Sequence, residues 1–271
     1  MTEISVEGLV HVYPGGVRAL DGVSLRVGAG EQVALIGQNG SGKTTLVRHL
    51  NGLLRPTQGR VLLDGVEAST RTVAQLARTV GLVFQDPDRQ IFAGTVADEA
   101  EFGPRNLGRH GDAMRAAVKA ALEAVGLERE WRTNPYDLGS SRRKLLALAS
   151  VLAMQTPVLV LDEPTTGQDL RGVERVRSVI SAAAAEGRTV IAVSHDMRFV
   201  AETFARVVVM GAGRILLDGP PSSVFAAEAW ETLRSTYVEP PEAAKLGGRL
   251  GLGATPTDAD LITALRRSQP A

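Results

Sequence analysis

Short runs rich in β-branched and other apolar residues recur along the chain, at Gln32-Val33-Ala34-Leu35-Ile36, Val80-Gly81-Leu82-Val83-Phe84, Pro157-Val158-Leu159-Val160-Leu161 and Thr189-Val190-Ile191-Ala192-Val193. A strand with one wet face alternates apolar and polar positions, so continuous runs of this length predict a mostly parallel sheet buried on both faces. Antiparallel character is expected at the two ends of this series. The first thirty residues show it, and so does the stretch 207–217, where Gly211-Ala212-Gly213 supplies a hairpin turn. Helical spacing places Met114, Ala117, Val118, Ala121, Leu122 and Val125 on one face, with Asp112 as the predicted N-cap and Gly126 as the stop. Residues of about 87–150 therefore read as a helical insert in an α/β domain covering 1–237. After Tyr237 the composition changes, as Pro240-Pro241, several glycines and Pro256 break the chain into short pieces. The segment 238–271 reads as an appendage. In it Thr257 and Asp260 predict a capping box for a last helix through Arg266, striped by Leu261 and Leu265.

Composition narrows the chemistry more than the fold. With 271 residues and 44% hydrophobic content, the chain can bury a sizeable core. Thirty basic side chains balance thirty acidic ones, so no whole-molecule field attracts nucleic acid or an anionic surface, and no nucleic-acid partner is expected. No run approaches the roughly 18 apolar residues that cross a bilayer. The opening Met1-Thr2-Glu3-Ile4 does not lead into a signal core, so a cytosolic chain is expected. The absence of cysteine excludes disulfides, thiolate metal sites and cysteine nucleophiles.

The strand ending at Ile36 runs into Gly37-Gln38-Asn39-Gly40-Ser41-Gly42-Lys43-Thr44, followed by Thr45 and a predicted helix through Leu54. Glycines let backbone N–H groups converge on phosphate oxygens, and the helix N-terminus adds partial positive charge at the same point. Lys43 then reaches the β- and γ-phosphates, and the Thr44 hydroxyl is placed to ligate Mg²⁺. ATP is thus the expected ligand of Gly37, Asn39, Gly40, Ser41, Gly42, Lys43, Thr44 and Thr45. Farther on, the apolar run through Leu161 ends in Asp162-Glu163. Two acids at the end of a buried strand are costly unless a cation waits there. Mg²⁺ is the expected counter-charge, held by Asp162, while Glu163 orients and polarises the water that attacks the γ-phosphorus. Alone, an acid pair after an apolar strand serves as readily to stop it.

With these motifs in order, the sequence resembles the nucleotide-binding subunits of ABC transporters over residues 4–235. That resemblance implies a RecA-like P-loop NTPase core with an antiparallel β subdomain, a helical subdomain and ATPase activity. It implies that Tyr13 stacks on adenine and that Gln85 links the Mg²⁺ site to a membrane partner, giving it both a catalytic and a metal-contacting role. Asp169 matches the loop joining two active sites, and His195 matches the switch histidine at the γ-phosphate. Lys43, Glu163, His195 and Gln85 are then the catalytic set, and Thr44, Gln85 and Asp162 the metal set. A narrower likeness lies in Val83-Phe84-Gln85-Asp86-Pro87-Asp88-Arg89-Gln90-Ile91-Phe92, Thr95-Val96 and Phe102-Gly103-Pro104. These look like the ATPase component of energy-coupling-factor importers of vitamins or transition-metal ions. Pro240-Pro241-Glu242-Ala243-Ala244 is similar to the same family's C-terminal dimerisation region. The implied partners are a second ATPase subunit, a transmembrane T component and a substrate-binding S component, with the chain peripheral on the cytoplasmic face of the membrane.

One motif departs from the family. Where a signature close to Leu-Ser-Gly-Gly-Gln belongs, the chain has Leu138-Gly139-Ser140-Ser141-Arg142. In the family this resembles, two subunits close head to tail and the signature of one covers the nucleotide of the other. Losing a hydrogen bond to a charged group costs about 1.5–3 kcal/mol, so a slower motor is expected rather than a silent one. Ser140, Ser141 and Arg142 could supply replacement donors, or the chain could pair with a different ATPase subunit that carries an intact signature. A hydrolysis-impaired partner subunit, or an ABC ATPase outside the energy-coupling-factor group, remains the alternative function.

Overall fold

In the computed structural model, which describes residues 2–268, each apolar run becomes a strand of a single six-stranded sheet. The strands are β1 Ile4–Val12, β2 Arg18–Val27, β3 Gln32–Ile36, β4 Gln58–Leu63, β5 Val66–Glu67, β6 Val80–Val83, β7 Val158–Asp162, β8 Thr189–Val193, β9 Arg206–Gly211 and β10 Arg214–Gly219. The helices are α1 Lys43–Leu50, α2 Val73–Leu76, α3 Val96–Asn106, α4 Gly111–Ala124, α5 Ser140–Leu152, α6 Leu170–Ala185, α7 Met197–Thr203, α8 Pro221–Val224, α9 Trp230–Ser235, α10 Glu242–Arg249 and α11 Asp258–Ser268. The central sheet has the order β10-β9-β3-β8-β7-β6 and is parallel except where β10 returns beside β9. A second sheet, β2-β1-β4-β5, is antiparallel.

Both faces of the central sheet are dry, as the continuous apolar runs require. In β3, Ala34 and Ile36 join the cluster made with α3 to α6, whereas Val33 and Leu35 join the cluster made with α1 and the antiparallel sheet. β7 divides in the same way, Leu159 and Leu161 against Val158 and Val160, and β8 divides into Val190 and Ala192 against Ile191 and Val193. Each fully buried Val or Leu contributes about 1.5–3 kcal/mol, so a one-residue slip would exchange whole rows between clusters of different shape. Parallel register then aligns the strand ends. Leu35 and Asp162 both pair with Val193, which brings the turns after β3, β7 and β8 to one edge, the carboxyl edge where α/β sheets bind ligands.

Several local expectations shift. α1 stops at Leu50, not Leu54, because Asn51 leaves the helix and Gly52 at φ +75° ends it in the left-handed region. α4 starts after His110, so Asp112 is not the cap; it lies in the first turn and pairs with Arg115 at 2.6 Å. In the stretch 87–150 the helices begin only at Val96, after a single turn at Pro87–Arg89, and α5 continues to Leu152. The hairpin turn narrows to Ala212 and Gly213, both at positive φ, the pairing that a two-residue turn between right-twisted strands requires. In the C-terminal segment, Val238 and Ala244 join the larger core cluster. The Thr257 hydroxyl accepts from the Asp260 N–H at 3.2 Å, and the Asp260 carboxylate accepts from the Thr257 N–H at 3.2 Å, the reciprocal cap that their spacing predicts. Among the described residues no helix is long and apolar enough to cross a membrane.

Candidate functional site

The loop between β3 and α1 is wedged between two other segments. Gly37 has φ +144°, and a Cβ there would lie 2.1 Å from the Met210 carbonyl oxygen; at Gly42, with φ +103°, it would lie 2.5 Å from that of Ala19. Both positions need glycine for conformation and for space. The β9–β10 turn is stitched to the same place, since the Gly213 N–H donates to the Ser41 carbonyl at 3.1 Å and the Gly213 carbonyl accepts from the Asp21 N–H at 2.9 Å. Lys43 is buried and donates to the Gly37 and Gln38 carbonyls at 2.6 and 2.8 Å. Burial pushes its ammonium below the usual lysine range, against the pull of Glu163 and Asp162.

Asp162 ends β7 directly beneath α1. The Thr44 hydroxyl donates to its two carboxylate oxygens at 3.0 and 3.3 Å. Burial nevertheless raises the Asp162 pKa above its ordinary value of 3.8, because Thr44, Arg48, Lys43 and Lys144 only partly offset the desolvation. Its neighbour Glu163 adopts φ +54°, a left-handed conformation that costs energy in a non-glycine residue and clusters at functional sites. There its Oε2 lies 2.7 Å from His195 Nδ1, and the Thr166 hydroxyl reaches the same oxygen at 3.4 Å. His195 itself stays open, with its side chain 62% exposed.

A cavity of about 270 Å³ joins these groups, lined by Tyr13, Lys43, Thr44, Thr45, Gln85 and Glu163 among others. Asn39, Gly40 and Gly42 also border it. Tyr13 is held by a 3.1 Å hydrogen bond between its hydroxyl and that of Thr45, and by the edge of His11 with ring centroids 4.6 Å apart. A second cavity of about 520 Å³ adjoins Gln38, Gln85, Glu163 and His195, and its far wall is Tyr237, Val238 and Glu239. That wall escaped the sequence reading, because nothing local in Tyr237-Val238-Glu239 announces a site more than forty residues back along the chain. The donor set suits a hard divalent cation: hydroxyl, carboxylate and amide oxygens from Thr44, Asp162 and Gln85, with the acid buried and incompletely compensated. Among the described residues no group of three or more His, Cys, Asp or Glu could hold a metal by itself, so phosphate oxygens and water would complete the shell.

Five expected residues line neither cavity: Ser41 and Asp162 still join the site through Lys43 and Thr44, whereas Asp169, Ser140 and Ser141 do not. Asp169 caps α6, accepting from the Gly172 N–H at 2.7 Å. The Ser141 hydroxyl donates to Gln168 Oε1 at 2.7 Å, and Ser140 is exposed at the first turn of α5. Arg142 pairs with Glu130. Two of the three candidate replacement donors are therefore engaged inside the chain.

Residues 20–166 match the family model described as ABC transporter. The energy-coupling factor transporter ATP-binding protein EcfA of Methanocaldococcus jannaschii is 40% identical over 245 residues, covering 90% of this chain and 87% of that protein. The chain belongs to the ABC transporter ATP-binding proteins and is an ATPase of the energy-coupling-factor type. A solved structure of cbiO1 from Clostridium perfringens, described as part of the ABC transporter complex cbiONQ, superposes with a TM-score of 0.75 at 35% identity, covering 90% of this chain and 97% of that one. A putative ABC transporter ATP-binding protein of Caldanaerobacter subterraneus is 40% identical over 92% of this chain, but the chain spans only 43% of its length.

In this ABC ATPase the stretch after Gln85 is built by side chains that satisfy distant backbone. Gln90 accepts from the Phe84 N–H at 3.0 Å and donates to the Ala147 carbonyl at 2.7 Å, tying the end of β6 to α5. The nearly buried Glu99 accepts from the N–H groups of Phe92 and Ala93 at 3.0 and 2.9 Å. These bonds hold an open groove of about 540 Å³, lined by Leu82, Phe92, Phe102, Gly103, Leu107 and Met154 among others. Phe92 and Phe102 meet edge to face at 4.6 Å and stay 59% and 45% exposed.

Proposed function

We propose that this ATPase binds ATP with Mg²⁺ between the phosphate loop and the end of β7, and that hydrolysis there drives uptake of a vitamin or transition-metal ion by an energy-coupling-factor importer. One observation carries the reading: Thr44 against Asp162, and Glu163 against His195, lie side by side at a loop whose glycines are demanded by backbone contact. Thr44, Asp162 and Gln85 are the proposed metal-holding residues; Mg²⁺ held there would offset the negative charge of the phosphates. Lys43 exchanges its loop carbonyls for β- and γ-phosphate oxygens, beside the N–H groups of Gly40, Ser41, Gly42, Lys43, Thr44 and Thr45. Glu163 accepts a hydrogen bond from the attacking water and aims it, while His195 fixes the carboxylate from its solvent side. Tyr13 stacks on the adenine ring. Catalysis comes from position and charge compensation, with no covalent intermediate.

A second ATPase subunit completes the reading, because neither Ser140 at the start of α5 nor Asp169 lines either of this chain's own cavities. Engagement of Ser141 and Arg142 within the chain favours a pair with unequal sites, in which the nucleotide covered by this signature turns over more slowly. The aromatic-rimmed groove is the proposed seat of the transmembrane T component, which works with a substrate-binding S component. The subunit is then peripheral on the cytoplasmic face of the membrane. Phosphate release by the purified full-length chain tests the core of this proposal. Glu163→Gln is expected to lower it by about 10²–10⁴ while ATP still binds. Undiminished release would remove Glu163 from its role.

A further inference from the structure

α5 begins where the altered signature lies, and three of its hydrogen bonds run inward to the turn that follows Glu163. The Ser141 hydroxyl donates to Gln168 Oε1 at 2.7 Å, and Gln168 Nε2 returns a bond to the Ser141 carbonyl at 3.0 Å. One amide thus grips one residue at two points, which also fixes which end of the amide is oxygen. A turn farther along α5, the buried Lys144 donates to the Thr166 carbonyl at 3.0 Å. Thr166 carries the link onward, because its hydroxyl reaches Glu163 Oε2 at 3.4 Å, the oxygen that faces His195. The charges around Lys144 are Glu163, Asp162 and Asp86.

The seat of the Gln168 amide is also shaped from behind. Gly172 sits in the first turn of α6, and a Cβ there would lie 2.2 Å from Gln168 Oε1 and 3.1 Å from its Cβ. An ordinary helical backbone gives no conformational reason for glycine at this position, and alanine is the better helix former. The close approach of Gln168 supplies the reason.

We propose that Lys144 and the Ser141–Gln168 pair are positioning residues for hydrolysis: they clamp the start of α5 to the turn at Thr165–Gln168 and so, through Thr166, orient the Glu163 carboxylate in the same subunit. The clamp rests on the ATPase reading given above. It gives the serine at 141 a use that does not involve a nucleotide on another subunit. It also makes the position of Glu163 depend on where α5 sits, so that whatever moves the start of this helix resets the angle at which the water is held.

Steady-state ATP turnover of the full-length chain, with KM for ATP and the thermal midpoint measured on the same samples, tests this. Ser141→Ala and Gln168→Leu are each expected to lower kcat about three- to tenfold, leaving KM within about twofold and the midpoint little changed. The double variant is expected to be no worse than the poorer single, since either change opens the same clamp. Gly172→Ala is expected to reproduce the loss by displacing the Gln168 amide, and Ser141→Thr to recover most of it. Lys144→Met is expected to lower kcat likewise. Effects that multiply in the double variant, or an unchanged kcat in both singles, overturn the clamp. So does a rise in KM for Ser141→Ala with Gln168→Leu silent, which would turn the serine toward nucleotide instead. A parent chain with no turnover overturns the ATPase reading and this proposal with it; a turning-over parent with unaffected variants overturns the clamp alone.

Discussion

Two helices here have a glycine at the N-cap position and so no side chain to cap them, and they begin in opposite surroundings. α1 follows Gly42 at φ +103°, deep against β2 and the β9–β10 turn, with Lys43, Thr44 and Asp162 converging on it. α5 follows Gly139 at φ −61°, an extended conformation open to any residue, with nothing within 4 Å of a Cβ placed there. Both present the unpaired N–H groups and partial positive charge of a helix start. Only the first is furnished by its own chain with a lysine, a threonine hydroxyl and a buried acid. The second is bare on its outer side and tied down on its inner one. A complete site and a half site differ in this way, and the difference argues for a second subunit more directly than any exposed surface does.

Breaking the complete site should have the largest effect. Lys43→Ala is expected to weaken ATP binding by about a hundredfold or more, because it removes charge-assisted bonds worth about 1.5–3 kcal/mol each; equilibrium titration with a fluorescent ATP analogue reads it. Sharpening the half site should have a smaller effect of opposite sign. Gly139→Ser restores a hydroxyl at the start of α5 and is expected to raise kcat up to about tenfold. A serine N-cap improves on glycine by only a few tenths of a kcal/mol, so a gain of that size would report a bond across the subunit pair. The smallest effect is on stability. The Asp162 pKa is raised in the folded state by burial, so its ionised form costs stability. That cost vanishes below the ordinary value of 3.8, where folded and unfolded chains both hold the proton, and is fully present above the raised folded value. At neutral pH, Asp162→Asn is expected to raise the Tm of the nucleotide-free chain by about 2–4 °C, the shift that ~1 kcal/mol produces at this size, while turnover is lost. Differential scanning calorimetry checks it.

What could be read from the sequence follows the range of the interactions involved. The central strands were legible because burial on both faces forces continuous apolar runs, and the phosphate loop because its glycines, lysine and threonine are contiguous. Asp162 and Glu163 were legible as the polar end of β7, whereas His195 was reached only through the family resemblance; the structure puts all three at one edge with Thr44. Helix ends were less so. Leu53 and Leu54 look as helical as Leu50, and only the left-handed Gly52 stops α1 before them. His110 starts α4 without any side-chain cap to signal it. Least legible were contacts that join distant segments, such as Ser141 to Gln168, Lys144 to Thr166, and the Tyr237 wall of the second cavity. Lys144 did leave a trace, as a cation heading the apolar run Leu145-Leu146-Ala147.

The stitch between Gly213 and Ser41 has a consequence for how the molecule can be divided. The glycine-rich loop is continuous in sequence, yet its shape is imposed by Ala19 on one side and by Met210 and Gly213 on the other. A fragment ending before Arg206 would retain the whole motif from Gly37 to Thr44 and still lack the scaffold that bends it. Nucleotide affinity should therefore disappear on such shortening all at once, along with the fold, instead of fading in proportion to the residues removed.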